Sequence, residues 1–400
     1  MNFRYISNGR LYEYDGAATR EISSAILESY KRKIKDSSER NEWKYTGSGA
    51  AFTGSFRPGT SPDDAVSAVT SSVSCVGEHR GEVIYAIDID TTNGIYRKSG
   101  DSGEEGIVLC SSNTRYMDFD IRGDMMTVSS AFGGECNIGV LDLVNKKFVT
   151  YTEGNTLDVT PVWSRVSTDK IYFTSIGLPE INPFSKPVAE ESYGQMLGHM
   201  YAPARGGAER APATVCVLDI SRGTLDEVLA DDRYDFTHPM STRDGSLYYI
   251  KRPYRPTEGR DSLGCLVDIF MLPVRLFEAL FGFLNVFSAK YSGKTLSRSD
   301  VRHRDEKQLF IDGNLINAER ELKANAKRGE KHPGIIPRSW ELRRRMPNGE
   351  DVLVRAGVLA YKVDEESGDI LFSNGSSIIR LDKDGKEEKL LSAEKVTFIK

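Results

Sequence analysis

Between Ile138 and Ser175 the chain reads IGVLDLVNKKFVTYTEGNTLDVTPVWSRVSTDKIYFTS, and no other window narrows the choice of fold as far. A strand ending in Asp142 is followed by a turn and a second strand. A Pro161/Trp163/Ser164 strand and an Ile171 to Ser175 strand come next. The cadence returns in CVLDISRGTLDEVLADDRYDFTHPMSTRDGSLYYIK (216–251) and in IIRLDKDGKEEKLLSAEKVTFIK (378–400), so the chain is built from repeats. Strand repeats of this length belong to solenoids or propellers, because one unit cannot bury its own apolar face.

Taking the apolar residue near the end of each second strand as marker, Tyr5, Tyr85, Val128, Phe173, Tyr249 and Phe372 define six units. Their basic spacing of about 40 residues suits a WD40-like, four-stranded blade. The segment KVTFIK, ending at Lys400, reads as a first strand, and FRYISNGRLYEYDG near Met1 reads as a second and third. One blade is therefore expected to be completed by both ends of the chain, which closes the ring and removes free sheet edges. The expected fold is an all-β, six-bladed propeller over 1–400, with helical insertions on one face.

The segments PVWSRVSTDKIYFTS (161–175) and HPMSTRDGSLYYIK (238–251), with weaker echoes in FDIRGDMMTVSS and GDILFSNGSSIIRLD, resemble the repeat of TolB-like six-bladed propellers. That repeat runs as Pro-x-Trp-Ser-Pro-Asp-Gly, an apolar strand ending in Ser, and an Ile-Tyr strand ending in Asp. The resemblance covers about three quarters of the chain and implies a blade rather than an activity. The chain departs from TolB in opening directly in a strand.

Two blades break the pattern of short connections between second and third strands. One carries residues 178–212. The next carries about 253–338, since its third strand is best read as WELRRRM (340–346), leading through Pro347-Asn348-Gly349 to DVLVRAG. In a propeller every such connection emerges on the same face, so both insertions are expected to rise side by side, where long excursions from a rigid scaffold usually bind.

Within the longer insertion, LGCLVDIFMLPVRLFEALFGFLNVFSAK (263–290) carries polar or small residues at Asp268, Arg275, Glu278, Gly282, Asn285 and Ala289, whose helical spacing makes a narrow stripe. Phe270, Phe277, Phe281, Leu284 and Phe287 belong to the wide apolar remainder. Pro273 starts a helix or divides the segment, and its charges argue against a span of about 20 apolar residues. An in-plane interfacial helix fits better. Residues 251–346 hold 20 Lys and Arg against 12 Asp and Glu in a chain of net charge −5, so the insertion is basic on an acidic ring. Arg275 and Lys290 place positive charge within and after the apolar segment. Three readings stand: docking to an anionic membrane surface, burial against a protein partner or a second copy as a homo-oligomer, or a local helical subdomain capped by NAERELKANAKRG (317–329). Nucleic acid is disfavoured, because the basic residues are interleaved with phenylalanine and leucine rather than displayed as a stacking platform.

Composition, 39% hydrophobic and 28% charged, agrees with a globular chain. The opening residues lack a basic stretch followed by a long apolar one, so the expected location is cytoplasmic, with attachment to the inner face of the membrane in the lipid-docked reading. Cys75, Cys110, Cys136, Cys216 and Cys265 are scattered and read as reduced, packed thiols. A connector helix is expected over 21–35, where Ile22, Ile26, Tyr30 and Ile34 lie about one turn apart.

Catalytic signatures are lacking: no Gly-x-Ser-x-Gly elbow, P-loop, Gly-rich dinucleotide fingerprint or Cys-x-x-Cys occurs. The five histidines are too dispersed for a three-histidine metal site, and no metal or cofactor is expected. Asp88-to-Gly94 and Asp382-to-Gly385 begin like calcium loops but lack the glutamate at position 12, and read as hairpin turns. The remaining candidate for a small ligand is the central channel, lined by first-strand residues that include Asp158, Arg165, Asp235, His238 and Arg243. The reading is thus a non-catalytic interaction scaffold working through 178–212 and 253–338. The alternative is a propeller enzyme acting on a small or carbohydrate ligand at the channel.

Overall fold

Among the described residues the strands form four four-stranded antiparallel sheets, one eight-stranded sheet that two four-stranded blades share, and a two-stranded hairpin. The computed structural model describes residues 1–41, 62–90, 92–100, 103–178, 210–254, 308–311 and 314–400. Blade 1 joins Val396–Ile399 to Phe3–Ser7, Arg10–Tyr14 and Thr19–Glu21, so the two ends of the chain share a sheet. Tyr5 lies opposite Ile399 and Ile6 opposite Phe398 in that seam. Blade 2 runs from Ser71–His79 to Glu105–Ser111, and blade 3 from Arg115–Arg122 to Lys147–Thr150. Blade 4 spans Thr156–Trp163 to Thr224–Leu229, and blade 6 spans Ala360–Val363 to Glu387–Ser392. Blade 5 is assembled from Tyr234–Ser241, Leu247–Pro253, Glu341–Arg345 and Asp351–Ala356. A parallel bridge at Cys136 and Leu157 fuses blades 3 and 4 into one continuous sheet.

Ring closure rests on six apolar seams, one between each pair of neighbours. Ile6 and Leu11 of blade 1 pack with Val76 and Tyr85 of blade 2. Cys75 and Ile84 meet Phe119 and Val128, and Ile138 and Val140 meet Trp163 and Phe173. Val215 and Leu229 pack with Phe236 and Tyr249, Ile250 and Leu342 with Phe372 and Ile379. The last seam sets Leu371 and Ile378 against Tyr5 and Val396. The six marker residues of the repeat all fall in second strands and are all buried, which is why the repeat is visible: alternation puts every other second-strand side chain into a seam.

The connector helix occupies Ala25–Asn41 rather than 21–35. Thr19–Glu21 is taken by pairing as the outer strand of blade 1, and the Ser24 hydroxyl accepts from the Leu27 amide as the helix begins. Ile22, Ile26 and Tyr30 pack on the seam between blades 1 and 2. Cys75, Cys136 and Cys216 are buried, and burial pushes the Cys136 thiol up to about 12 and the Cys216 thiol up to about 11. Cys110 is exposed and Cys265 lies outside the described residues.

Part of the longer insertion belongs to the ring. A two-stranded hairpin, Gln308–Ile311 with Asn314–Asn317, leads into a helix at Ala318–Lys327, whose first turn is capped by the Asn317 side chain. Ile316 packs with Ile336, Trp340 and Leu359, and the Asn325 amide donates to the carbonyls of Gly334 and Ile336 at 2.8 and 3.1 Å. The chain then crosses blade 6 so closely that a Cβ on Gly334 would stand 2.3 Å from the Asn374 carbonyl oxygen. Backbone must move to admit it. Gly334→Ala is expected to lower stability by about 1–3 kcal/mol, read from the chemical-denaturation midpoint.

Candidate functional site

The first strand of each blade lines a central cavity of about 1230 Å³. Ser74, Asp118, Thr160, His238, Lys362 and Phe398 contribute one position from each blade. In blades 4 and 5 these strands carry matching irregularities: pairing slips between Val159 and Val162 and between Thr237 and Met240. Thr160 and His238, each followed by proline, adopt left-handed backbone angles (φ 52° and 53°). Such conformations cost a non-glycine residue about 1–3 kcal/mol and persist where the surroundings over-determine them. The Thr160 hydroxyl lies 2.9 Å from that of Thr174, and the Tyr361 hydroxyl donates to the His238 carbonyl at 2.6 Å.

Charge is organised at both ends of this cavity. At the end where first strands turn into second strands, buried Asp120 accepts from the Trp163 amide at 3.0 Å and from Arg165 at 3.1 Å. Lys400 reaches across from blade 1 to the same carboxylate at 2.9 Å. Burial works to raise the Asp120 carboxyl, but the Lys400 and Arg165 charges prevail and hold it below the ordinary aspartate range. Glu365 accepts from the Arg243 amide at 3.0 Å and pairs with its guanidinium at 3.5 Å.

At the opposite end the stems of the two insertions meet. Gly177 closes the second strand of blade 4 and Pro253 that of blade 5, each opposite the first residue of its inner strand. Arg210, on the returning stem of the first insertion, forms a two-pronged pair with Asp235 at 2.9 and 2.8 Å. Arg252 approaches the same carboxylate at 3.5 Å, and the Ala213 amide donates to it at 2.9 Å. Tyr254, on the departing stem of the second insertion, donates to the Arg210 carbonyl at 2.5 Å and lies under its guanidinium. Arg252 sits over Trp340, where the second insertion returns, at 4.8 Å. Asp235, Arg252 and Arg210 are 0%, 1% and 7% exposed. One buried ionic cluster therefore holds three of the four stem segments.

Of the residues expected at the channel, Arg165, His238 and Arg243 line the cavity, whereas Asp158 and Asp235 do not. Asp158 is buried behind it, accepting from the Ser175 hydroxyl at 2.7 Å, while its carbonyl accepts from Ser129 of blade 3. Both aspartates thus tie neighbouring blades together. Sequence reasoning missed Asp120, Lys362 and Lys400, although Lys362 and Lys400 stand in or beside first strands in the similar phrases AYKV and TFIK. The apolar-segment residues Phe270, Arg275, Phe277, Phe281, Leu284, Phe287 and Lys290 lie outside the described residues.

Among the described residues no group of three or more His, Cys, Asp or Glu could hold a metal ion. His79 pairs with Asp124 at 2.8 Å. Asp382 accepts from the amides of Asp384 and Lys386 at 3.0 and 2.8 Å and so closes its own turn.

No family model matches this chain. No curated protein matches it either. Among solved structures it is similar to TolB from Acinetobacter baumannii, with 8% identity and a TM-score of 0.48, covering 100% of this chain and 65% of that one. A nidogen/laminin complex gives 6% identity and a TM-score of 0.45 over 100% and 97% of the two chains. The tricorn protease gives 8% and 0.38 over 98% and 33%. The chain thus spans less than two thirds of the TolB and tricorn chains. With TM-scores of 0.48, 0.45 and 0.38, these likenesses bring neither a family nor an activity to this chain.

Proposed function

We propose that the ring is a non-catalytic interaction scaffold that binds a protein partner or an anionic membrane surface through 178–212 and 253–338, raised as helical insertions on one face. The observation that carries this reading is the shared anchorage of the insertion stems. Arg210, Asp235, Arg252 and Tyr254 bind the root of one insertion to the root of the other, so both excursions are mounted on one rigid base. A buried cluster of this kind is costly to assemble, and its placement at the base of two long insertions favours a composite working surface. The basic flanks of 263–290 suit an anionic surface, each basic side chain near such a surface contributing about 1 kcal/mol. No described helix is long and apolar enough to cross a membrane. Cytoplasmic location and peripheral attachment form part of the same proposal.

Cosedimentation with anionic and neutral liposomes tests it. The expected result is salt-sensitive binding to anionic vesicles that the double change Phe277→Asp, Phe281→Asp abolishes while the unfolding midpoint stays put. Binding to neither vesicle directs the search to a protein partner through the same insertions, where the double change must again abolish capture. Association unaffected by that change would refute the assignment. The second reading, a propeller enzyme acting on a small or carbohydrate ligand, is favoured by one observation: the matched backbone irregularities at Thr160 and His238 facing the cavity.

A further inference from the structure

Asn8 and Gly9 form the two-residue turn between Phe3–Ser7 and Arg10–Tyr14 of blade 1, with Ser7 paired to Arg10 across it. Both have positive φ, 50° and 69°, as a type I′ hairpin turn requires. The turn joins a second strand to a third, the same connection that carries the insertions in blades 4 and 5, and both residues line the cavity together with Ser72. The chain holds four Asn-Gly pairs, and glycine is the successor that leaves its own amide nitrogen least shielded. The fold treats the four differently. Asn93 is 6% exposed, donates to Asp88 and to the Tyr116 carbonyl, and accepts from the Tyr116 amide. Asn374 is 4% exposed, donates to the His332 carbonyl and accepts from the amides of Ser376 and Ser377, while the Gly375 amide donates to the Ser373 hydroxyl. Asn348 is exposed, but its side chain accepts from the Glu350 amide at 2.9 Å and the Gly349 amide donates to the Met346 carbonyl at 2.9 Å. Asn8 is exposed, and neither its side chain nor the Gly9 amide makes a hydrogen bond.

We propose that Asn8 is a modification site of the ring, converted spontaneously to aspartate and isoaspartate through a cyclic imide with Gly9. The Gly9 nitrogen gives its proton to hydroxide and attacks the carbonyl carbon of the Asn8 side chain, forming a C–N bond. The tetrahedral adduct collapses as its bond to Nδ2 breaks, and that nitrogen takes a proton from water and leaves as ammonia. Water then opens the imide at either carbonyl. Breaking the new bond gives aspartate, whereas breaking the original peptide bond routes the main chain through the side-chain carboxyl as isoaspartate. One water is consumed and one ammonia released, with no redox change. Ring closure needs the peptide between Asn8 and Gly9 to turn its nitrogen toward the side chain. Types I′ and II′ share the positive φ at the first turn residue and differ by a flip of this peptide, so the hairpin survives the flip and no hydrogen bond of the Gly9 amide has to break. The product places a carboxylate at the cavity. Isoaspartate also lengthens the backbone of a turn whose Gly9 carbonyl accepts from the Val73 amide of blade 2 at 2.9 Å. This inference goes beyond the scaffold reading and does not depend on the insertions.

The test incubates the full chain under native conditions at neutral and mildly alkaline pH, and in parallel in concentrated guanidinium chloride, following all four pairs by peptide mass spectrometry. Native Asn8 is expected to convert several-fold faster than Asn93 and Asn374, with Asn348 between them. Its rate should rise with pH, because the attacking nitrogen must lose its proton, and both aspartate and isoaspartate should form, separated by chromatography. In guanidinium chloride the four rates should draw together, since the fold sets them apart. Asn8→Gln, whose longer side chain would have to close a larger ring, should abolish conversion at this position and leave the unfolding midpoint in place. A native Asn8 rate no greater than those of Asn93 and Asn374 overturns the proposal, and aspartate as sole product overturns the imide route. Asn348 outpacing Asn8 refutes the part assigned to the free Gly9 amide.

Discussion

Asp235→Ala is expected to destabilise the ring by about 3–5 kcal/mol at neutral pH, measured as the shift of the urea midpoint at unchanged slope. The carboxylate is fully buried between the Arg210 and Arg252 guanidiniums, and removing it leaves positive charge facing positive charge in a region from which water is excluded. The penalty has a pH signature. Burial acts to raise the Asp235 carboxyl, but the Arg210 hydrogen bonds and the Arg252 and Arg210 charges outweigh it and hold it below the ordinary aspartate range. A lowered native value means that the contribution to stability is present above the unfolded-state pKa and is lost as pH falls through the native one. The cost of Asp235→Asn should therefore be largest at neutral pH and shrink in acid. Asp158, its counterpart in the neighbouring repeat, should do the opposite. Burial pushes its carboxyl up, more than the Ser175 hydroxyl can offset, so ionisation opposes folding as pH rises through that raised value. Asp158→Asn should thus become relatively more favourable as pH rises. Parallel pH profiles for the two variants would show that these aspartates do the same job and that the Arg210 cluster adds nothing.

The contrast between those two residues marks the boundary of what a sequence exposes. Strand alternation is local, so the six second strands, the seam formed by both ends of the chain and the late third strand beginning at Glu341 could be read directly from repeating apolar positions. Tyr5, Tyr85, Val128, Phe173, Tyr249 and Phe372 are buried because period-two alternation aims them into the seams. The helix after blade 1 starts later than its apolar spacing suggests, since strand pairing claimed Thr19–Glu21 first. Asp158 and Asp235 occupy equivalent repeat positions, which identifies their place in the blade but not their partners. Arg210 approaches Asp235 from the returning stem of an insertion, 25 residues upstream, and Lys400 finds Asp120 at a separation of 280 residues. Nothing periodic announces either pair. Packing of blade 5 on blade 4 brings Arg210 to Asp235, and closure of the ring brings Lys400 to Asp120.

Deleting 256–306 with a short Gly/Ser bridge is expected to leave a ring that unfolds cooperatively, with a midpoint close to that of the full chain. Extending the deletion to 335 should cost several kcal/mol and broaden the transition. The difference lies in what the returning half of the insertion contributes. Ile316 and Ile336 complete an apolar cluster with Trp340 and Leu359, and losing one such buried aliphatic side chain typically costs about 2–5 kcal/mol. Asn325 satisfies the carbonyls of Gly334 and Ile336, and the Asn374 side chain donates to the His332 carbonyl at 2.8 Å, so the longer deletion also strips hydrogen-bond partners from blade 6. The shorter one keeps these contacts, and both leave Trp340 in the chain beside Arg252. Lipid or partner association should disappear in both deletions, since both remove 263–290. If the 256–306 deletion alone abolishes cooperative unfolding, that half of the insertion is core, and the proposed division between a self-sufficient ring and a working surface mounted on it fails.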